Sequence, residues 1–144
     1  MSLNEIYDPN NIFAKIIRGD MPCVKVFEDG SYLAFMDIFP QTEGHCLVIP
    51  KTEGATNLLT APASMLSGLI ETTRKVAAAV VAALEPDGVR IAQFNGSLAG
   101  QTVFHLHMHI LPVYEGRSIA PHAGGSPASA EALELLADKI RRAM

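Results

Sequence analysis

Tryptophan is absent from this chain, cysteine occurs twice, and aromatic residues make up only 6% of its 144 residues. An interior built from such a sequence is mostly aliphatic. Two isolated cysteines, Cys23 and Cys46, exclude a disulfide scaffold and lack the paired spacing of a thiolate metal site. Each sits among apolar residues, and both are expected as buried, reduced thiols of a cytoplasmic protein. Basic residues are also scarce, 11 Lys and Arg against 15 Asp and Glu, for a net charge of −4. That balance gives no basic footprint for nucleic acid. The longest purely apolar run, residues 76–84, falls far short of the ~20 residues that cross a bilayer, so no membrane association is expected. Residues 1–8 lack a basic stretch followed by an apolar one, and no secretion signal is read there. Internal repeats and low-complexity tracts are missing as well.

What the chain does have is aliphatic bulk: 49% of it is hydrophobic. For a short chain this is high, and it leads us to expect a buried subunit interface. Its length suits one domain. Residues 12–18 read as a short helix ended by Gly19-Asp20. Strands are expected at 24–27, 32–38, 45–49, 89–94 and 103–114. A long helix entered through Thr60 and Pro62 has Met65/Leu66, Leu69/Ile70, Val76/Ala77, Val80 and Leu84 as its buried stripe, and Pro86 disfavours its continuation. Residues 115–128, rich in Gly, Pro and Ser, read as a surface segment, and residues 1–10 as a polar tail. Ser129 caps a last helix burying Leu133, Leu136 and Ile140. Hairpins early and late with a long helix between them predict an α+β fold, an antiparallel five-stranded sheet with one long and one or two shorter helices.

The most informative stretch is Thr102-Val103-Phe104-His105-Leu106-His107-Met108-His109-Ile110-Leu111-Pro112, which carries three of the five histidines. Read as a strand, it lines one face with His105, His107 and His109 and the other with Leu106, Met108 and Ile110. A polar edge-strand face is one explanation. A metal site is another, because neutral imidazole is the commonest metal ligand. His105 and His109, about 13 Å apart along a straight strand, are too far apart to share an ion, but two strand histidines with His45 make a possible three-nitrogen zinc set. The third is nucleophilic catalysis, in which one imidazole attacks an electrophile while its neighbours orient it and handle protons. Just upstream, Asn95-Gly96-Ser97-Leu98-Ala99-Gly100-Gln101-Thr102 is a turn-forming stretch that can bring backbone N–H groups, an amide and a hydroxyl against an anion such as phosphate.

The run from Gly100 to Pro112 resembles the signature of the histidine triad superfamily, His-φ-His-φ-His-φ-φ with φ apolar. Asn11-Ile12-Phe13-Ala14-Lys15-Ile16-Ile17-Arg18-Gly19-Asp20-Met21-Pro22 resembles the N-terminal segment of its Hint branch, the histidine triad nucleotide-binding proteins. Ala34-Phe35-Met36-Asp37-Ile38 and Gly44-His45-Cys46-Leu47-Val48-Ile49-Pro50-Lys51 resemble that branch's two central strands. Matches therefore run from about residue 11 to 113, within a single domain spanning 1–144.

The resemblance implies that His107, the middle histidine, attacks the α-phosphorus of a purine nucleotide and becomes nucleotidylated, while a backbone carbonyl holds its other nitrogen. It implies that His109 and Thr102 contact phosphate oxygens, and that His105 and His45 support the reaction as orienting or proton-handling groups. Asn95, Gly100 and Gln101 match its phosphate loop, although 96–99 departs from some members in length and composition. Ile12, Phe13, Ile16, Phe35, Ile38 and Leu47 match the wall on which the base stacks, and Asp37 the carboxylate that accepts the ribose hydroxyls. Two subunits usually pair into one continuous sheet, so a homodimer is implied. Some bacterial members carry a zinc site whose two cysteines stand where this chain has Asn11 and Ala14. Neither replaces a thiolate, so no structural zinc and no cofactor are expected. His122 matches no role and is expected to be solvated.

Three activities stay open at this stage. They are hydrolysis of nucleotide phosphoramidates or adenylyl adducts, hydrolysis of dinucleoside polyphosphates, and nucleotide-dependent regulation with little turnover. A metal-dependent hydrolase on a similar fold is the outlier.

Overall fold

The computed structural model describes residues 2–52, 54–121 and 126–144. Helix α1, Ile12–Arg18, begins where Asn11 Oδ1 accepts the Ala14 N–H at 3.0 Å, and it ends at Gly19, whose φ of 83° is open to glycine at little cost. Strands β1 (Lys25–Glu28), β2 (Tyr32–Met36) and β3 (Cys46–Pro50) follow, then α2 (Ala63–Leu84), β4 (Gly88–Ala92), β5 (Met108–Val113) and α3 (Ala130–Arg142). All five strands join one antiparallel sheet in the order β1-β2-β3-β5-β4. The architecture is the one the hairpin and helix pattern predicts.

Register sorts the side chains. Phe35 opposes Leu47, and Leu47 opposes His109, so these three share one face of the sheet. Ala34, Val48 and Met108 share the other. That second face packs on α2 and α3 through Val48, Leu69, Val76, Val80, Leu133 and Ile140. The first face carries a smaller apolar cluster, in which Phe13 of α1 covers Leu33, Phe35, Leu47 and Ile49. One sheet therefore separates a structural core from a face open to ligand.

Several expectations need correction. The last strand was expected over 103–114, but the ladder begins only at Met108. The Leu106 N–H donates to Ala55 O at 2.9 Å instead of pairing with β3, and the His105 carbonyl accepts from the His107 ring. Alternation survives without the ladder, because Leu106 still enters the α2 core while the histidine rings turn the other way. On α2, Ile70 is 52% exposed rather than buried. Cys46 is fully buried, whereas Cys23 is only half-buried. His122 lies outside the described residues. Among those described, no helix is long and apolar enough to cross a membrane.

Candidate active site

Four histidines meet on the open face, and their hydrogen bonds determine which nitrogen of each neutral ring carries the proton. The Gln41 backbone N–H can only donate, so His45 Nδ1, 3.1 Å away, is an acceptor. His45 therefore carries its proton on Nε2 and donates to His109 Nδ1 at 3.0 Å, which leaves the His109 proton on Nε2. Asp37 Oδ2 lies 3.5 Å from the same His45 Nε2, a longer second partner for it.

The other pair is ordered in the same way. His107 Nδ1 donates to the backbone carbonyl of His105 at 2.7 Å, and the lone pair of the neutral ring is thereby on Nε2. His105 donates from Nε2 to Pro50 O at 2.9 Å, and its Nδ1 accepts from the Tyr7 hydroxyl at 2.6 Å. Phe13 meets the His107 ring edge-on at 5.0 Å between centroids, and Phe94 lies 5.1 Å from His109. Such contacts restrict both rings to one orientation. His45, His105, His107 and His109 are all buried, at 5% exposure or less.

His107 and His109 form the floor of a cleft of about 250 Å³, with Thr102 at its rim. Every residue expected to line a nucleoside pocket does border it: Ile12, Phe13, Ile16, Phe35, Asp37, Ile38 and Leu47. Met21, Pro22, Cys23, Phe39 and Val103 also line it and had not been expected there. The Met21-Pro22-Cys23 turn follows directly from α1, and no periodicity marks it as wall. Burial pushes the Cys23 thiol pKa above its ordinary value, with nearby Lys25 opposing and Glu28 adding to the effect.

Some expected residues stand behind the cleft. His105 and His45 back the two rings that line it. Gln101 is 3% exposed, and both ends of its amide are engaged, within the loop and with Thr56 beyond it. Its Oε1 accepts from Gly96 N at 2.9 Å, while its Nε2 donates to Thr56 O and Val103 O at 2.7 and 3.0 Å. Asn95 Oδ1 accepts from Leu58 N–H and from Gln93 Nε2, which ties the loop to the turn at Leu58–Thr60. Gly96 and Gly100 have φ of 94° and 107°, values that allow the tight loop and that a side chain would strain. Thr102 is the one residue of this set that is exposed.

Two residues outside the expected set, Tyr7 and Gln41, assign ring tautomers. The Gln41 loop is itself clamped by the segment after β5. Ala120 N–H donates to Gln41 O at 2.8 Å, Gln41 Nε2 returns a bond to Ala120 O at 3.0 Å, and Ala128 N–H donates to Ile38 O at 2.8 Å.

Asp37, His45 and His109 each offer a donor atom within 4.8 Å of the others, a spacing that resembles a metal set. The surrounding bonds oppose it. A histidine bound to metal through Nε2 ordinarily donates Nδ1–H to an acceptor. His45 Nδ1 instead faces a donor, the Gln41 N–H. A thiolate zinc site does not fit either, because Asn11 caps α1 and Ala14 is fully buried beneath it. The histidine cluster is thus built as a hydrogen-bond relay.

The chain is similar to several known proteins. A profile described as the HIT domain matches residues 18–116. The Bacillus subtilis protein named hit is 46% identical over 105 residues, which cover 73% of this chain and 72% of that protein. The adenosine 5'-monophosphoramidase hnt1 of Schizosaccharomyces pombe is 41% identical over 101 residues, covering 70% of this chain and 72% of that one. The adenylylsulfatase HINT3 of Arabidopsis thaliana is 39% identical over 101 residues, covering 70% of this chain and 51% of its own. Among solved structures, a HIT-like protein from Bartonella henselae superposes with a TM-score of 0.91 at 46% identity, covering 97% of this chain and all of that one.

Proposed function

This chain belongs to the HIT-domain family, and from that premise we propose that it is a hydrolase of purine nucleotide conjugates, with adenosine phosphoramidate or an adenylyl adduct as substrate. The observation that carries the reading is the 2.7 Å bond from His107 Nδ1 to the His105 carbonyl, which leaves the attacking lone pair on Nε2 at the floor of the cleft. The identity to proteins named as a monophosphoramidase and an adenylylsulfatase supports the same class.

In the proposed reaction the base stacks on Phe13, Phe35 and Leu47, and Asp37 accepts the ribose hydroxyls. His107 Nε2 forms a bond to the α-phosphorus, and the bond to the leaving group breaks with its electron pair going to that group: a phosphoramidate nitrogen takes a proton from solvent and leaves as the neutral amine, while an acyl group leaves as its carboxylate. His109 Nε2–H and the Thr102 hydroxyl donate to the phosphate oxygens as charge builds there. Water then attacks phosphorus and gives up a proton to solvent, the bond to Nε2 returns its pair to the ring, and AMP is released. No cofactor or metal takes part in this scheme. At about 250 Å³ the cleft lies just below the ~300–1,000 Å³ usual for ligand pockets, which favours a single nucleotide over a bulky conjugate.

We also propose a homodimer working in the cytoplasm, without nucleic-acid or membrane partners. β4 is a sheet edge, and beside it α2 exposes Ile70 and Val81 next to Val89 and Ile91. Sedimentation at micromolar concentration is expected to give a dimer that Ile91→Lys splits, and a wild-type monomer would refute it.

The decisive assay follows product formation from adenosine phosphoramidate, an aminoacyl adenylate and diadenosine tetraphosphate. AMP is expected from the first two, with an acid-labile adduct trapped on His107. His107→Asn is expected to abolish turnover and keep AMP binding. Preference for the dinucleotide would reassign the leaving group. Binding of AMP without turnover of any substrate would make the protein a nucleotide-dependent regulator, and near-normal turnover by His107→Asn would end the covalent scheme.

A further inference from the structure

Tyr7 lies in the irregular segment before α1, outside the stretch matched by the HIT-domain profile. Its hydroxyl is 2.6 Å from His105 Nδ1, and the two rings are tilted at 58° with centroids 5.6 Å apart. The segment is held on both sides of Tyr7. Asn57 Nδ2 donates to Leu3 O at 3.4 Å, Arg18 donates to Pro9 O at 2.7 Å, and Asn11 donates from backbone and side chain to Asp8 O. Tyr7 is therefore delivered to His105 by an anchored strap.

His105 is fully buried, and its neutral ring has one donor and one acceptor. Pro50 O takes the donor and Tyr7 supplies the acceptor's partner. With both nitrogens committed, the ring cannot rotate or change tautomer without losing two bonds. The backbone carbonyl of this same residue holds His107 Nδ1. We infer that Tyr7 is a positioning residue for His107, because its hydroxyl locks His105 in the Nε2–H tautomer and so keeps the His105 carbonyl aimed at His107 Nδ1. Tyr7 touches no reacting atom and acts only through His105. The inference deepens the nucleophilic role of His107 proposed above and rests on it.

Tyr7→Phe removes one oxygen and retains the ring packing. It leaves His105 Nδ1 buried without its donor, and the cost of an unmet buried acceptor favours a second tautomer or ring pose. The expected result is a fall of about tenfold in kcat on adenosine phosphoramidate, with AMP affinity near that of wild type and a thermal midpoint lowered by only a few degrees. Nitrogen NMR of the histidine rings is a separate arm that needs no substrate. Wild type is expected to show His105 as a single tautomer with Nδ1 unprotonated, and Tyr7→Phe a mixture, with the His107 Nδ1–H signal perturbed. Unchanged kcat, or an unchanged His105 and His107 spectrum, overturns the inference. So does an equal loss of AMP binding, kcat and thermal midpoint, which marks a merely structural residue. If wild type turns over no nucleotide conjugate, the hydrolase reading falls, and the spectra still decide whether Tyr7 sets the two rings.

Discussion

The backbone N–H of Gln41 donates to His45 Nδ1 at 3.1 Å, and through the His45–His109 bond this one contact sets the protonation pattern of both rings. The pattern separates two substitutions of similar bulk. His45→Gln keeps an N–H that reaches towards His109 Nδ1, whereas the shorter His45→Asn keeps an acceptor near Gln41 N but its NH2 falls short of His109. Steady-state assays are expected to show His45→Gln retaining most of its kcat and His45→Asn losing about tenfold, with AMP affinity little changed in either. Equal losses in the two variants would remove the relay from the account.

Gln101 closes its own loop. Gln101→Glu replaces two N–H donors by a carboxylate facing the carbonyls of Thr56 and Val103. The variant is expected to lose about 3 kcal/mol of stability in urea melts, because two buried acceptors go unmet beside a buried charge. A shift below about 0.5 kcal/mol would mean that this amide does not hold the loop.

Asp37 lines the cleft, with Oδ1 accepting the Phe39 N–H at 2.9 Å and Oδ2 3.5 Å from His45 Nε2. If Asp37 reads ribose, wild type binds AMP at least about tenfold tighter than its dideoxy analogue, since hydrogen bonds to a charged acceptor exceed neutral ones. Asp37→Asn preserves the bond to Phe39 and is expected to erase the preference. Calorimetric titration of both ligands checks it, and equal affinities in wild type would take the ribose contact away from Asp37.

The two thiols make a further test. Burial, with the Asp37 charge adding to it, pushes Cys46 from 9.0 up to about 12. The native state therefore favours the neutral thiol. The resulting stability is complete below the unfolded value near 9 and is lost as pH rises from there towards 12. Wild type should lose stability more steeply over that range than Cys46→Ala. At neutral pH iodoacetamide is expected to label Cys23 slowly and Cys46 only after unfolding, and AMP should protect Cys23 because it lines the cleft. Labelling of Cys23 that ignores saturating AMP would place the nucleotide elsewhere.

The alternation of His105, His107 and His109 with Leu106, Met108 and Ile110 was legible in sequence, and it holds even where the ladder does not. Burial of Leu106 on the α2 side, rather than pairing with β3, sets the direction of the rings before Met108, whereas His109 is held by its register with Leu47. The cleft wall was legible only through the family resemblance, since β2 is buried on both faces and its period does not single out Phe35. Tyr7 and Gln41 carried no such signal. One is an aromatic in a polar stretch whose partner lies 98 residues away, and the other acts through a backbone N–H that every non-proline residue possesses. Gln101 was legible as a loop residue, yet the direction of its amide depends on Thr56, a contact 45 residues distant.

The strap that brings Tyr7 to His105 also bears on folding order. Hairpins β1-β2 and β2-β3 and helix α2 rest on contacts close in sequence and can form early, but the Tyr7–His105 bond closes across 98 residues. Loop-closure entropy must be overcome before that contact returns any free energy, so it belongs to the late, slow part of assembly. A refolding chain would then regain its helical and sheet signals before its histidine rings are locked, and catalytic activity would return last.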